Sequence, residues 1–293
     1  MVRKLGYVYN RSAARLRMQR SYTIGLIVPN LLNPFFTELT NSVEEQIEAE
    51  GLSLLLAKTS EDPARQQKAV QSMLEYRVDG LLICPAIGTQ ATDLRILQDA
   101  RLPFVLYTRN VPNFPADYVG AQNRKGTQMA TEFLLQRGYR RIAFIGGLPT
   151  SHTRKERFDG YRRALAKAKV PLSDVVNLPC ETSIRGGYES IQRVLQVQHR
   201  PTAAVCYNDV VAFGVILGLW ASRIAPGKEF PVIGFDNIAD AALWSPPLTT
   251  LSVPPALVGQ EAVKLLQKRI GSPDAPPEKI ILTPTIVVRE SCT

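Results

Sequence analysis

Cysteine, histidine and long apolar runs are all scarce in this chain of 293 residues. The four cysteines, Cys84, Cys180, Cys206 and Cys292, lie far apart and form no CxxC pair, so neither a disulfide scaffold nor a zinc cluster is suggested. The longest apolar runs, such as Leu81 to Pro85 or Ile280 to Leu282, fall far short of the ~18–20 residues that a membrane span needs. Residues 1–20 hold no apolar core of a signal peptide, so the expected compartment is the cytoplasm, with no membrane partner. Low-complexity segments are absent, and 45% hydrophobic against 21% charged residues excludes a largely disordered chain. Length alone suggests about two domains.

Catalytic patterns are missing as well. There is no GxxxxGK(S/T), no GxGxxG after a strand, no HExxH and no GxSxG elbow. Of the two histidines, His199 precedes Arg200-Pro201 and reads as a solvated helix end, while His152 follows Gly146-Gly147 in a loop. Two glycines after a strand are a weak phosphate signal without the rest of a fingerprint. The expectation is no enzyme, no cofactor and no metal.

What is present is uneven charge. Residues 1–20 contain Arg3, Lys4, Arg11, Arg15, Arg17 and Arg20 and no acid, which leaves 29 bases against 26 acids in the rest. A near-neutral body with a basic leader fits contact with a polyanion; a solvated tail is the plainer alternative.

From Tyr22 onward, short β-branched runs alternate with amphipathic stretches. Thr23 to Pro29 is apolar throughout, as a parallel strand covered on both faces requires. Asn33-Pro34 opens a helix that Gly51 stops. The pattern repeats with strands Leu52–Ala57, Gly80–Cys84 and Phe104–Tyr107 and helices Asp62–Tyr76 and Thr89–Asp99. After a looser stretch with Pro112 and Pro115, a second series is expected to begin at strand Tyr118–Gly120. It continues through strands Arg141–Ile145, Val175–Leu178, Ala203–Cys206 and Val232–Phe235 with helices between, and ends with strands Leu248–Ser252 and Lys279–Val288 around helix Pro255–Ile270. The fold class is therefore α/β, with two doubly wound parallel-sheet domains. Ligands of such sheets bind beyond the carboxyl ends of the strands, so two facing domains make a cleft.

A family resemblance rests on several runs in order. Arg77-Val78-Asp79-Gly80-Leu81-Leu82-Ile83, Asp117-Tyr118-Val119-Gly120 and Pro201-Thr202-Ala203 resemble steps of the bacterial lactose/galactose-type repressors, the LacI family. So do Asn208-Asp209, Val232 to Asn237, Pro246 to Thr250 and Val288 to Ser291. The resemblance implies a periplasmic-binding-protein-like core of two subdomains, 22–109 plus 254–282 and 110–253 plus 283–293. It implies a repressor that binds a small-molecule effector (a sugar, sugar acid or related metabolite) in the cleft, acts as a homodimer, and meets operator DNA when a helix-turn-helix is present. Effector binding would change the angle between subdomains and so operator affinity.

Leu5 to Asn10 and Ala13 to Arg17 resemble the family's linker, so residues 1–21 are expected to hold a remnant of the DNA-binding domain and a hinge helix. Ala14, Arg15, Leu16 and Arg17 would then meet the minor groove, Leu16 as an apolar wedge beside phosphate-binding arginines. The helix-turn-helix that would precede them does not appear in the sequence.

Position by position, the resemblance implies ligand contacts at Phe35, Arg157, Asn208 and Asp236. The guanidinium fork suits ligand oxygens, and the acid suits hydroxyl or ring-nitrogen donors. Plainer readings stand beside these: an exposed Arg157, an Asn208 helix cap, an Asp236 turn. Phe36 and Asp209 read as structural. Thr108 and Thr182 occupy positions where relatives carry an aspartate and an aromatic ring, and Gln122 stands where an aspartate often precedes Asn123. These departures argue against an ordinary neutral hexose and point toward a ligand with fewer donors, an acid among the candidates; Ser151 and Thr153 would add hydrogen bonds. Three rivals remain: a transporter's solute-binding protein, an α/β enzyme, which no catalytic pattern supports, and a dimerisation module that senses nothing.

Overall fold

The computed structural model describes residues 20–171, 174–197 and 199–292. The hinge residues Ala14, Arg15, Leu16 and Arg17 lie outside them. Two six-stranded sheets carry the fold. The first takes β1 (Thr23–Val28), β2 (Ser53–Lys58), β3 (Gly80–Ile83), β4 (Phe104–Tyr107), β5 (Asp117–Ala121) and β11 (Lys279–Leu282), in the order β11-β5-β4-β3-β1-β2. The second takes β6 (Ile142–Ile145), β7 (Val176–Leu178), β8 (Ala203–Cys206), β9 (Val232–Asp236), β10 (Thr249–Ser252) and β12 (Thr285–Val287), in the order β12-β10-β9-β8-β6-β7. Every pairing is parallel except β10 with β12.

Eight α-helices cover the sheets among the described residues: α1 (Pro34–Ala49), α2 (Pro63–Glu75), α3 (Ala91–Asp99), α4 (Asn123–Gln136), α5 (His152–Lys167), α6 (Ile184–Val194), α7 (Asp209–Ala221) and α8 (Pro255–Gly271). Their starts follow from capping chemistry. Asn33, Asp62, Ser151, Ser183 and Asn208 each accept a hydrogen bond from a first-turn N–H, and Pro34 and Pro63 bring the dihedral a first turn needs. β3, β4, β6 and β8 are buried at every residue, which accounts for their unbroken apolarity. Helix α7 is buried on nearly every side because it lies between its sheet and α6, where Gly187 faces the Val211 carbonyl and Gly214 faces that of Ile184.

The structure corrects the expected boundary between subdomains. β5 pairs with β4 and β11 in the first sheet, so the chain crosses to the second subdomain after Ala121 and not at residue 110. The proline-bearing stretch before β5 is no linker. Val111, Phe114 and Ala116 are buried against the first sheet's core, Phe114 stacking on Phe104. Asp117 is pinned by the Arg269 guanidinium of α8 at 2.7 and 3.0 Å. The expected single strand Lys279–Val288 is likewise two strands, one in each sheet, separated at Pro284. The chain thus crosses between subdomains three times: after β5, between β10 and α8, and between β11 and β12. One continuous apolar cluster runs through both subdomains.

Candidate functional site

The cleft is built by loops that leave the carboxyl ends of strands in both sheets, where an open α/β sheet exposes its unpaired backbone and its helix N-termini. From the first subdomain come Asn30, Asn33, Phe35 and Phe36 after β1, Glu61 after β2, and Thr108 and Arg109 after β4. From the second come Thr153 and Arg157 on α5, Thr182 after β7, Tyr207 and Asn208 after β8, and Asp236 at the end of β9. The hollow left among them is about 60 Å³. That is well below the ~150 Å³ known to admit a benzene-sized molecule, so the cleft is nearly closed.

Arg157 is the hub of the second half. Its Nε donates to Asn123 Oδ1 at 2.9 Å, its Nη1 to the Tyr207 carbonyl, and its Nη2 lies 3.5 Å from Asp236 Oδ1. The guanidinium stands 3.5 Å over the Phe235 ring centroid and 4.8 Å from that of Tyr207. Burial, opposed by the neighbouring Arg157, pushes the Asp236 carboxyl up to about 7. Asn208 caps α7 through Val211 N at 3.1 Å and lines the cleft together with Asp236, whose ionised form its amide favours. Asp209 faces away from the cleft, bonding Ile238 N at 3.0 Å and Thr250 Oγ1 at 2.5 Å, so it is structural as expected.

The first half is organised by Arg109 and Glu61. Nη1 and Nη2 of Arg109 donate to the two Glu61 carboxylate oxygens at 2.7 Å each, and Nη1 also reaches the Pro85 carbonyl at 3.0 Å. Burial works against the Arg109 charge, and Cys84 and Glu61 outweigh it. Two polar atoms here are hidden with no hydrogen-bond partner: Arg109 Nε and Thr108 Oγ1. Backbone strain gathers at the same place. Ser60, Glu61, Thr108, Asp236 and Asn237 have φ of 53, 60, 62, 119 and 58°, a region side chains other than glycine enter at a cost.

Of the residues expected from sequence, Phe35, Thr108, Thr153, Arg157, Thr182, Asn208 and Asp236 meet in this cleft. Ser151 does not. Its Oγ accepts from Arg154 N at 3.3 Å as the cap of α5, and the residue is almost fully buried. Asn208 fills the plainer role and the cleft role together. Glu61, Arg109, Asn30, Asn33 and Tyr207 were not anticipated as cleft residues. Glu61 directly precedes Asp62-Pro63, which reads as a helix start, and nothing local announces its left-handed backbone. Gly146 and Gly147 face side chains of Val211, Tyr207 and Arg154, so close packing and positive φ explain them.

A wider hollow of about 630 Å³ lies at the opposite, amino end of the first sheet. Its arginine, Arg269, is taken up by Asp117 and the carbonyls of Pro273, Ala275 and Pro276. Polar groups free to meet a ligand converge in the cleft instead.

Among the described residues, no helix is long and apolar enough to cross a membrane. Residues 21–289 match the family described as periplasmic binding proteins and sugar binding domain of LacI family. Over 291 residues the chain is 31% identical to the HTH-type transcriptional repressor PurR of Mannheimia succiniciproducens, covering 99% of this chain and 87% of that protein. It is also 31% identical over 291 residues to the ribose operon repressor of Haemophilus influenzae, with the same coverage of 99% and 87%. Among solved structures, a LacI family transcriptional regulator from Enterococcus faecium with bound ribose superposes with a TM-score of 0.81 at 27% identity, covering 92% of this chain and 98% of that one. The lac repressor dimer bound to operator and an anti-inducer shares the fold, with a TM-score of 0.87 at 22% identity over 98% of this chain and 99% of that one. Two parallel sheets joined by three crossings, a cleft at their carboxyl ends and a match across nearly the whole length lead to one conclusion: the chain belongs to the LacI family and carries the effector-sensing core of a transcriptional repressor.

Proposed function

We propose that a small polar metabolite binds between Arg109 and Arg157, with Phe35 and Phe36 packing on its apolar face. Asp236, Asn208, Thr153 and Thr182 would bond its oxygens. The observation that carries this reading is the convergence of two guanidinium groups and two buried unpartnered polar atoms at the carboxyl ends of both sheets. Ribose in the cleft of a structural relative supports a ligand of that size. Because the hollow is only about 60 Å³, entry of such a ligand requires the subdomains to part and reclose around it.

The signal then passes as a change of angle between subdomains. In a homodimer it alters the spacing of the segments before residue 20 that would meet operator DNA, and the protein works in the cytoplasm. We read the cleft as a sensor and not an enzyme, since both of its carboxylates are held against arginines and no nucleophile stands beside a base. The first test is thermal unfolding against sugars, sugar acids, sugar phosphates, nucleobases and organic acids. A bound effector at about a hundred times its dissociation constant adds roughly 2.7 kcal/mol of stability. A selective shift that disappears in Arg157→Ala supports the reading. The sensing role fails if a form joined to a helix-turn-helix binds that effector with operator affinity unchanged.

A further inference from the structure

We propose that Glu61 is a specificity-determining residue: it cancels the charge of Arg109, so that this half of the cleft accepts an uncharged oxygen and rejects a carboxylate or phosphate. The inference rests on the sensing reading above and names the ligand class for it.

The geometry begins with the fork. Both carboxylate oxygens of Glu61 meet both terminal nitrogens of Arg109 at 2.7 Å, an end-on, two-pronged pairing that leaves Nε out. The pair is held from behind, because Ile87 N donates to Glu61 Oε2 at 3.2 Å and the Pro85 carbonyl takes Arg109 Nη1 at 3.0 Å. Glu61 reaches this position only because Ser60 and Glu61 both adopt left-handed backbone, with φ of 53 and 60°. Such strain persists where the surrounding structure holds it in place, and here its result is a carboxylate beside a cleft arginine.

What remains for a ligand is Arg109 Nε and Thr108 Oγ1, both hidden and unpartnered. Nε offers a donor, and the hydroxyl offers either a donor or an acceptor. Together they suit a hydroxyl, ring or carbonyl oxygen. An anion brought to the same atoms would lose its hydration and find the positive charge already spent on Glu61. In the second half of the cleft Arg157 also has a carboxyl beside it, with Nη2 3.5 Å from Asp236 Oδ1. Each guanidinium of the cleft thus already has a carboxyl beside it, which leaves no free cation to draw an acidic effector. The departures at Thr108, Gln122 and Thr182 point toward an acid, whereas Glu61, in the turn after β2, brings a carboxylate to this half of the cleft.

The test uses matched neutral and anionic probes on the whole chain by isothermal titration: ribose with ribonate, xylose with xylonate, galactose with galacturonate, and ribose with ribose 5-phosphate. The expected result is binding of a neutral member with its anionic partner weaker. Glu61→Gln, which keeps size and a hydrogen-bonding oxygen, should then move that ratio toward the anion by about ten- to fiftyfold, the scale of one unit charge about 7 Å away at an effective dielectric near 20. An anionic member that binds the unaltered protein as well as its neutral partner overturns the proposal without use of any variant. A folded Glu61→Gln protein with an unchanged ratio also overturns it; circular dichroism and the melting temperature establish the fold. If no probe of either charge binds, the sensing reading itself fails, and the two failures are told apart.

Discussion

The Glu38 carboxylate on α1 accepts a hydrogen bond from the backbone N–H of Ala239 at 2.9 Å, joining the first subdomain to the second. Ala239 opens a short 3-10 turn, Ala239–Ala242, whose own preceding residue, Ile238, provides no side-chain cap. The opposite subdomain supplies the missing acceptor. Glu38→Ala should therefore favour the open cleft and weaken effector binding by about three- to tenfold, given that such a bond contributes roughly 0.5–1.5 kcal/mol. Titration calorimetry reads the affinity, and small-angle scattering reads the opening. An unchanged affinity together with an unchanged radius of gyration would show that this bond does not hold the closed form.

Asp236 should make stability depend on pH near neutrality. Burial raises its carboxyl from 3.8 to about 7, with Arg157 working the other way. Between those two values the folded protein holds a proton that the unfolded chain has released. Stability therefore falls as pH rises from about 4 to about 7, and Asp236→Asn should flatten part of that slope. Asp209, also raised by burial and by Asp236, contributes with the same sign. Urea unfolding across this range provides the check; a slope identical in the variant would count against it.

Arg157→Ala should lower stability by about 3 kcal/mol, because it strands Asp236, the Asn123 amide oxygen and the Tyr207 carbonyl in a dry site. Arg157→Lys should recover little of this, since an ammonium cannot serve three directions from one plane. Chemical denaturation measures both variants.

Gly160→Ala should cost about 1–3 kcal/mol through overpacking. An added Cβ would stand 2.1 Å from the Arg124 carbonyl oxygen, a backbone atom, so α4 and α5 would have to separate. Gly138→Ala serves as its contrast: no neighbour lies within 4 Å of an added Cβ there, and only the φ of +89° penalises it. The two melting curves would separate crowding from backbone strain.

Much of the fold was legible because buried parallel strands have no polar face to hide their signal. The cleft was legible where a side chain serves the fold and the ligand site together, as Asn208 does. The boundary at β5 was not, because Pro112 and Pro115 mark an irregular backbone whether it links two bodies or packs on one. Ser151 misled for a related reason: a serine before a helix satisfies the helix first. Glu61 was invisible because its part depends on Arg109, 48 residues further on, and on a backbone conformation that no glycine announces. The run at Val288 to Ser291 proved structural. Arg289 bonds Asn237 Oδ1 at 2.8 Å and the Leu248 carbonyl at 2.7 Å, while Ser291 Oγ bonds the Val232 carbonyl at 2.6 Å, so the chain's end braces the turn that carries Asp236.

The three crossings have a consequence for how the protein is made. β11 lies beside β5 in the first sheet with Lys279 opposite Tyr118, a partner 161 positions earlier in the chain. During synthesis the first sheet waits with its β5 edge open until residues 279–282 leave the ribosome, long after the second sheet has most of its strands. Unpaired edges of this kind invite contact with other chains. The interval between the synthesis of β5 and that of β11 is therefore when a chaperone would gain most by covering this molecule, at the β5 edge.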